Sequence, residues 1–233
     1  MYVRKAHHGF TLIEIMIAIS ISAVITSAFY QMFFSQQRSY LLQEQVAEMQ
    51  QNLRTGLYVM VRDIRSAGFD PDLNGLTRFV TDFAPPNAIF GTDPIDYTVD
   101  RNIIAFTTDD DEDGTIDLTR AEMIAYRLNG NTLQRYNVQL DPDPTQRWET
   151  VAANIDALDF VFLAQDGTVT TNPDNATAVE ITLLVRTGQK DTNYTSTSPY
   201  LNKQGNDICS ACNTGENRLH RRRLLSTTVA LRN

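Results

Sequence analysis

The sequence predicts an α+β fold in which one long N-terminal helix lies across antiparallel β-sheet. Three observations carry this. No proline interrupts residues 1–70, so nothing forces a kink in a helix over that stretch. Leu42, Val46, Met49, Leu53, Leu57, Met60 and Ile64 recur at steps of three and four, the apolar stripe of an amphipathic helix. Beyond Pro71 the pattern changes to short strands and turns. No strand–helix–strand repetition appears there, which argues against a parallel, doubly wound sheet.

The helix is predicted over Phe10–Ala67, about 87 Å at 1.5 Å per residue, with Gly68 and Pro71 as stop signals. Its stripe suits a sheet, given the strands that follow, although a coiled-coil seam has the same spacing. "NIIAFTT" at 102–108 and "EMIAYRL" at 122–128 read as strands, and Ile95, Tyr97 and Val99 alternate. Asn129-Gly130-Asn131 precedes "TLQRYNV" at 132–138, a hairpin signal. Further strands are predicted at 157–163, 178–186 and 224–232. Segments 165–177 and 187–219 are rich in Thr, Asn, Ser, Gly and Pro, and read as surface loops.

Composition narrows the function. A net charge of −8 over 233 residues disfavours a general nucleic-acid binder. Of three histidines, His7 and His8 precede the apolar run, so only His220 remains for His-based catalysis.

The run from Phe10 to Phe34 contains a single formal charge, Glu14, and is long enough to span a bilayer of about 30 Å. Arg4 and Lys5 precede it, favouring an orientation with the N-terminus inside. An ordinary signal peptide has a shorter apolar segment and a small-residue cleavage site after it, and none is clear here. Glu14 is the anomaly, because a carboxylate at a helix centre costs roughly 2.5–3.5 kcal/mol to insert and is usually paired. Cleavage between Gly9 and Phe10 would create an α-ammonium one helical turn from Glu14. A neighbouring copy could set that amine against the carboxylate and neutralise both.

"GFTLIE" after a short basic leader and before a long apolar helix resembles the class III signal of type IV pilins and type II secretion pseudopilins. The resemblance implies that a prepilin peptidase cuts after Gly9 and methylates Phe10, and that Glu14 serves assembly. It divides the chain into a leader (1–9), a transmembrane and assembly half-helix (10–34), an amphipathic half-helix (35–68) and a β-rich globular domain (69–233). Many major pilins carry a proline in the apolar half, which this chain lacks. "RDIRSAGFDP", "NIDALDFVFL" and "RRRLLSTTVALRN" are similar to PilW-type minor pilins, relatives of the J-type pseudopilin.

That resemblance implies an inner-membrane protein with one span and a periplasmic C-terminal domain, which becomes part of a surface pilus. Its partners would be the prepilin peptidase, other minor pilins and the major pilin; no nucleic acid is expected. The role would be priming near the pilus tip, by assembly rather than catalysis. Alternatives are a J-type pseudopilin in a periplasmic pseudopilus, or a membrane-anchored metal-dependent hydrolase.

"DDDEDGTID" at 109–117 opens like a calcium loop. Asp109, Asp111 and Asp113 alternate, Gly114 permits a sharp bend, and Thr115 and Asp117 occupy the next ligand positions. The twelfth position is Arg120, and Glu122 could supply the missing carboxylate. The expectation is a structural Ca²⁺ of modest affinity, with a solvated acidic hairpin tip as the alternative. Cys209 and Cys212 form C-x-x-C in a loop-rich, exported segment, where a local disulfide is expected and free thiols or a link to a partner are the alternatives. His220–Arg223 decorate the start of the last strand or offer a surface to an acidic neighbour.

Overall fold

The computed structural model describes residues 9–69, 79–80, 101–115, 122–137 and 147–231. The predicted alternation at Ile95–Val99, and Pro71, Asp117 and Arg120, lie outside the described residues. The chain divides into two units, Met1–Glu44 and Gln45–Asn233. A continuous helix α1, Leu12–Ile64, runs through both. Its predicted start and end shift inward by two and three residues, and Arg65–Gly68 form a turn. Gly68 takes φ +71°, the left-handed conformation that ends a helix without a Cβ penalty, and donates its N–H to the Thr107 carbonyl at 2.9 Å.

In the first unit the helix is exposed along its apolar length, with Ile13 66% and Phe29 67% accessible. Ser20 and Ser22 bond back to the carbonyls of Met16 and Ala18, so their hydroxyls are satisfied within the helix, as hydrocarbon requires.

In the second unit, seven strands form two antiparallel sheets. The first is β1 (Ile103–Thr107), β2 (Met123–Asn129), β3 (Thr132–Tyr136) and β4 (Trp148–Ala153), in sequential order. The second is β5 (Ile155–Leu163), β6 (Ala178–Arg186) and β7 (Arg222–Ala230), also sequential. Six strands coincide with the sequence expectation to within about two residues at each end. The seventh, β4, was not foreseen: its residues are mostly half-exposed, so no clean alternation marks it. Asn154 separates β4 from β5 and takes φ +60°, a conformation open to asparagine. The chain therefore changes sheet in a single residue.

The stripe that suits either a coiled coil or a sheet packs on sheet. Met49, Leu53, Leu57, Met60 and Ile64 are buried in one core with Leu133, Phe106, Phe160, Ile181 and Leu183. Gly56 lies within this face. A Cβ there would stand 3.1 Å from Leu133 Cδ2 and 3.2 Å from Leu183 Cδ2, so the close approach of helix and sheet explains a glycine in a helix interior. The helix end is also fixed by charge. Asp63 Oδ2 accepts bonds from Tyr126 Oη at 2.6 Å and Arg135 Nε at 2.7 Å.

The segment 187–219 is more than a surface loop. It folds over the second face of β5–β6–β7, where Cys212 packs with Ala157 and Leu184. Asn202 donates to Asp159 at 2.9 Å, and Lys203 pairs with buried Glu180 at 3.2 Å. Its polar composition reads as loop because the cover is held by hydrogen bonds and ion pairs rather than by an apolar stripe.

Candidate functional sites

The N-terminal site is short. Gly9, Phe10 and Thr11 precede α1, and Phe10 is 87% exposed. Thr11 and Glu14 form a capping box. The Thr11 N–H and hydroxyl each donate to Glu14 Oε2 at 2.8 Å, and the Glu14 N–H faces the Thr11 hydroxyl at 3.4 Å. Sequence reasoning overlooked this, although Thr-x-x-Glu before an apolar run is its signature. The acid is thus placed where the helix dipole favours an anion and where an unpaired N–H needs an acceptor. This arrangement leaves Glu14 Oε1 outside the cap. Among the described residues, α1 is the one helix long and apolar enough to cross a membrane.

The acidic loop joins β1 to β2. Asp109 is fully buried. Its Oδ1 accepts the Asp113 N–H at 3.2 Å, its Oδ2 accepts the Gly114 N–H at 3.0 Å, and its own N–H reaches the Phe69 carbonyl at 3.0 Å. These bonds wind the loop, with Glu112 at φ +59° and Gly114 at φ +77°. Carboxylate oxygens of Asp109, Asp111 and Glu122 lie within 4.8 Å of one another. Two of the three residues are buried, Asp109 at 0% and Glu122 at 1%. Asp113 stands apart from this group: its Oδ1 accepts the Thr115 N–H at 2.9 Å and the Thr115 hydroxyl at 2.6 Å. Like charges gathered out of water repel, and a hard cation with oxygen ligands relieves that.

In the segment that precedes β7, Cys209 and Cys212 are joined as a disulfide. His220 is buried, its Nδ1 meets the Thr187 carbonyl at 2.8 Å, and burial lowers its pKa. The three arginines that follow differ sharply. Arg221 pairs with Asp191 at 2.9 Å and lies over the Tyr194 ring. Arg222 has a wholly buried side chain and pairs with Asp156 at 2.6 Å. Asp156 also accepts from Arg186 at 3.3 Å and Asn131 at 3.1 Å. Arg223 is exposed.

Comparison with known proteins agrees with this anatomy. Residues 42–200 match the family of prepilin peptidase-dependent protein B, and residues 4–30 match the prokaryotic N-terminal methylation motif. No curated protein matches the chain. Among solved structures, a type IV-like pilin from Thermus thermophilus is similar at 14% identity, covering 78% of this chain and 95% of its own, with a TM-score of 0.45. With a methylation motif at its exposed apolar terminus and a family match over most of the remainder, the chain belongs to the prepilin peptidase-dependent protein B family and is a type IV pilin-like protein.

Proposed function

We propose that this protein is a PilW-type minor pilin that helps to prime a type IV pilus from a complex of minor pilins near its tip. The observation that carries the reading is the N-terminal site. A Gly9–Phe10 junction, an acid one turn into the helix and a fully exposed apolar half-helix occur together within a match to the methylation motif. In this reading residues 1–9 are a leader, and prepilin peptidase cuts after Gly9 and methylates Phe10. The apolar half-helix holds the precursor in the inner membrane as a single span, with residues 69–233 in the periplasm. The helix then leaves the bilayer laterally and joins a bundle with other minor pilins and the major pilin. The chain works by packing rather than by catalysis. Mass spectrometry of the intact chain extracted from membranes tests this: the expected product begins at Phe10 and carries one added methyl group. A chain that keeps residues 1–9 in assembled filaments contradicts it.

We also assign a structural calcium ion to the acidic loop, held by Asp109, Asp111 and Glu122, with Asp113 and Thr115 shaping the loop and Asp117 in the next ligand position. The buried carboxylates and the oxygen-only donor set support a hard cation. For a site with Kd near 10⁻⁴–10⁻³ M, 10 mM calcium stabilises by about 1–3 kcal/mol, a rise in Tm of roughly 3–10 °C. Asp111→Asn, at an exposed position, should abolish that rise while leaving Tm without calcium nearly unchanged. An unaltered Tm in calcium counts against the ion.

A further inference from the structure

The outer edge of β7, unpaired among the described residues, has no part in the assembly proposed above. The Thr187 N–H bonds to the Arg221 carbonyl and the Leu231 N–H to the Thr177 carbonyl, each at 2.9 Å. Odd-numbered residues of β7 therefore face β6 with their main-chain groups, and those of Arg222, Leu224, Ser226, Thr228 and Ala230 point away from it. Among the described residues, no strand pairs with this outer edge. Arg222 shows it directly: its side chain is wholly buried, yet the residue is partly accessible, so the accessible part is backbone.

The side chains agree. Arg223 and Leu225 stand opposite Val185 and Leu183, which are fully buried core residues. They lie on the core-facing side of the sheet, yet Leu225 is 42% exposed and Arg223 is exposed. The strand overhangs the core. A groove of about 320 Å³ lies at the start of the strand, lined by Val46, Met49, Gln50, Tyr194 and Arg221–Arg223. Edge strands are normally blunted by charges, proline, bulges or a cover. Here no residue from Leu224 to Ala230 is charged or proline, and β7 pairs with β6 in unbroken register.

We propose that the outer edge of β7 accepts an added strand from a neighbouring filament subunit: an extended segment with a carboxylate against Arg223 and an apolar side chain over Leu225. The proposal rests on the filament reading above. Main-chain bonds to the five outward residues would supply affinity, and Arg223 would select an acidic segment and set its register. Arg221 and Arg222 are already paired with Asp191 and Asp156, which leaves Arg223 to meet the incoming charge.

Two variants of the full chain test this in the cell that assembles it. Arg223→Glu reverses the selecting charge. Thr228→Pro removes one outward N–H, and with it the exposed bond from Lys203 Nζ to the Thr228 hydroxyl, and leaves the main-chain bonds to β6 and the Lys203–Glu180 pair intact. The expected result is a membrane level and Tm matching the unaltered chain, with about a tenfold lower share in the sheared filament fraction, whereas Arg223→Lys keeps its share. Normal recovery of both variants overturns the proposal and leaves the filament reading standing. Absence of the unaltered chain from filaments overturns both. If Thr228→Pro proves unstable, Arg223→Glu decides, together with hydrogen exchange of the unaltered chain in filaments. Rapid exchange at the amides of 222, 224, 226, 228 and 230 overturns the added strand.

Discussion

Asp156→Ala is expected to destabilise the globular unit by about 3–5 kcal/mol, because it strands buried cations rather than merely removing a contact. Asp156 is 6% exposed at its side chain and faces Arg222, whose side chain is fully buried, and Arg186, 21% exposed. Among the described residues Arg222 Nη2 and Arg186 Nε lack an acceptor, and the remaining partners, the His220 carbonyl for Arg222 and Asn131 Oδ1 for Arg186, carry no counter-charge. For a unit of this size the loss should lower Tm by roughly 6–20 °C, measured by circular dichroism on the detergent-solubilised chain. The exposed pair Lys190–Glu216 provides the contrast, and Lys190→Ala should leave Tm unchanged. A loss below about 1 kcal/mol for Asp156→Ala would show that water reaches the arginines readily and that the network is not decisive.

Glu14→Gln is expected to leave membrane insertion, leader removal and the helix cap intact while removing the chain from filaments. Glutamine keeps an oxygen to accept the bonds that Thr11 now gives to Glu14 Oε2. It cannot neutralise an α-ammonium. If the charge pair is worth the roughly 2.5–3.5 kcal/mol of an uncompensated carboxylate in hydrocarbon, incorporation falls about a hundredfold. Immunoblots of sheared filaments and membranes give both numbers. Normal incorporation of Glu14→Gln would assign the residue to capping alone.

These two sites differ in how far the sequence announced them. Glu14 is conspicuous in the sequence because a charge interrupts an apolar run, whereas its local partner Thr11 is uncharged and marked only by the Thr-x-x-Glu spacing. The Asp156–Arg222 pair left no trace, since its members are 66 residues apart and nothing local marks either as buried. Periodicity exposed the helix stripe and six strands, because burial on one face imposes a repeat. It missed β4, an edge strand with little buried surface, and the cover formed by 187–219, whose contacts are polar and long-range. In the acidic loop, spacing picks out Asp109 and Asp111, and Glu122 enters only as an off-register substitute for Arg120; the fold gathers these three, but spacing gives no sign that Asp113 turns towards Thr115.

The long separation of β7 from its partner β6 also governs the timing of folding. The sheet β1–β4 needs only neighbours adjacent in sequence, whereas β6 waits for a partner that is synthesised only after the segment 187–219. At roughly 5–20 residues per second, several seconds separate Arg186 from Ala230. Throughout that interval a Val-, Ile- and Leu-rich ribbon lies open on one flank, inviting mispairing unless a chaperone shields it. A stop codon before Arg222 would make that nascent hazard permanent.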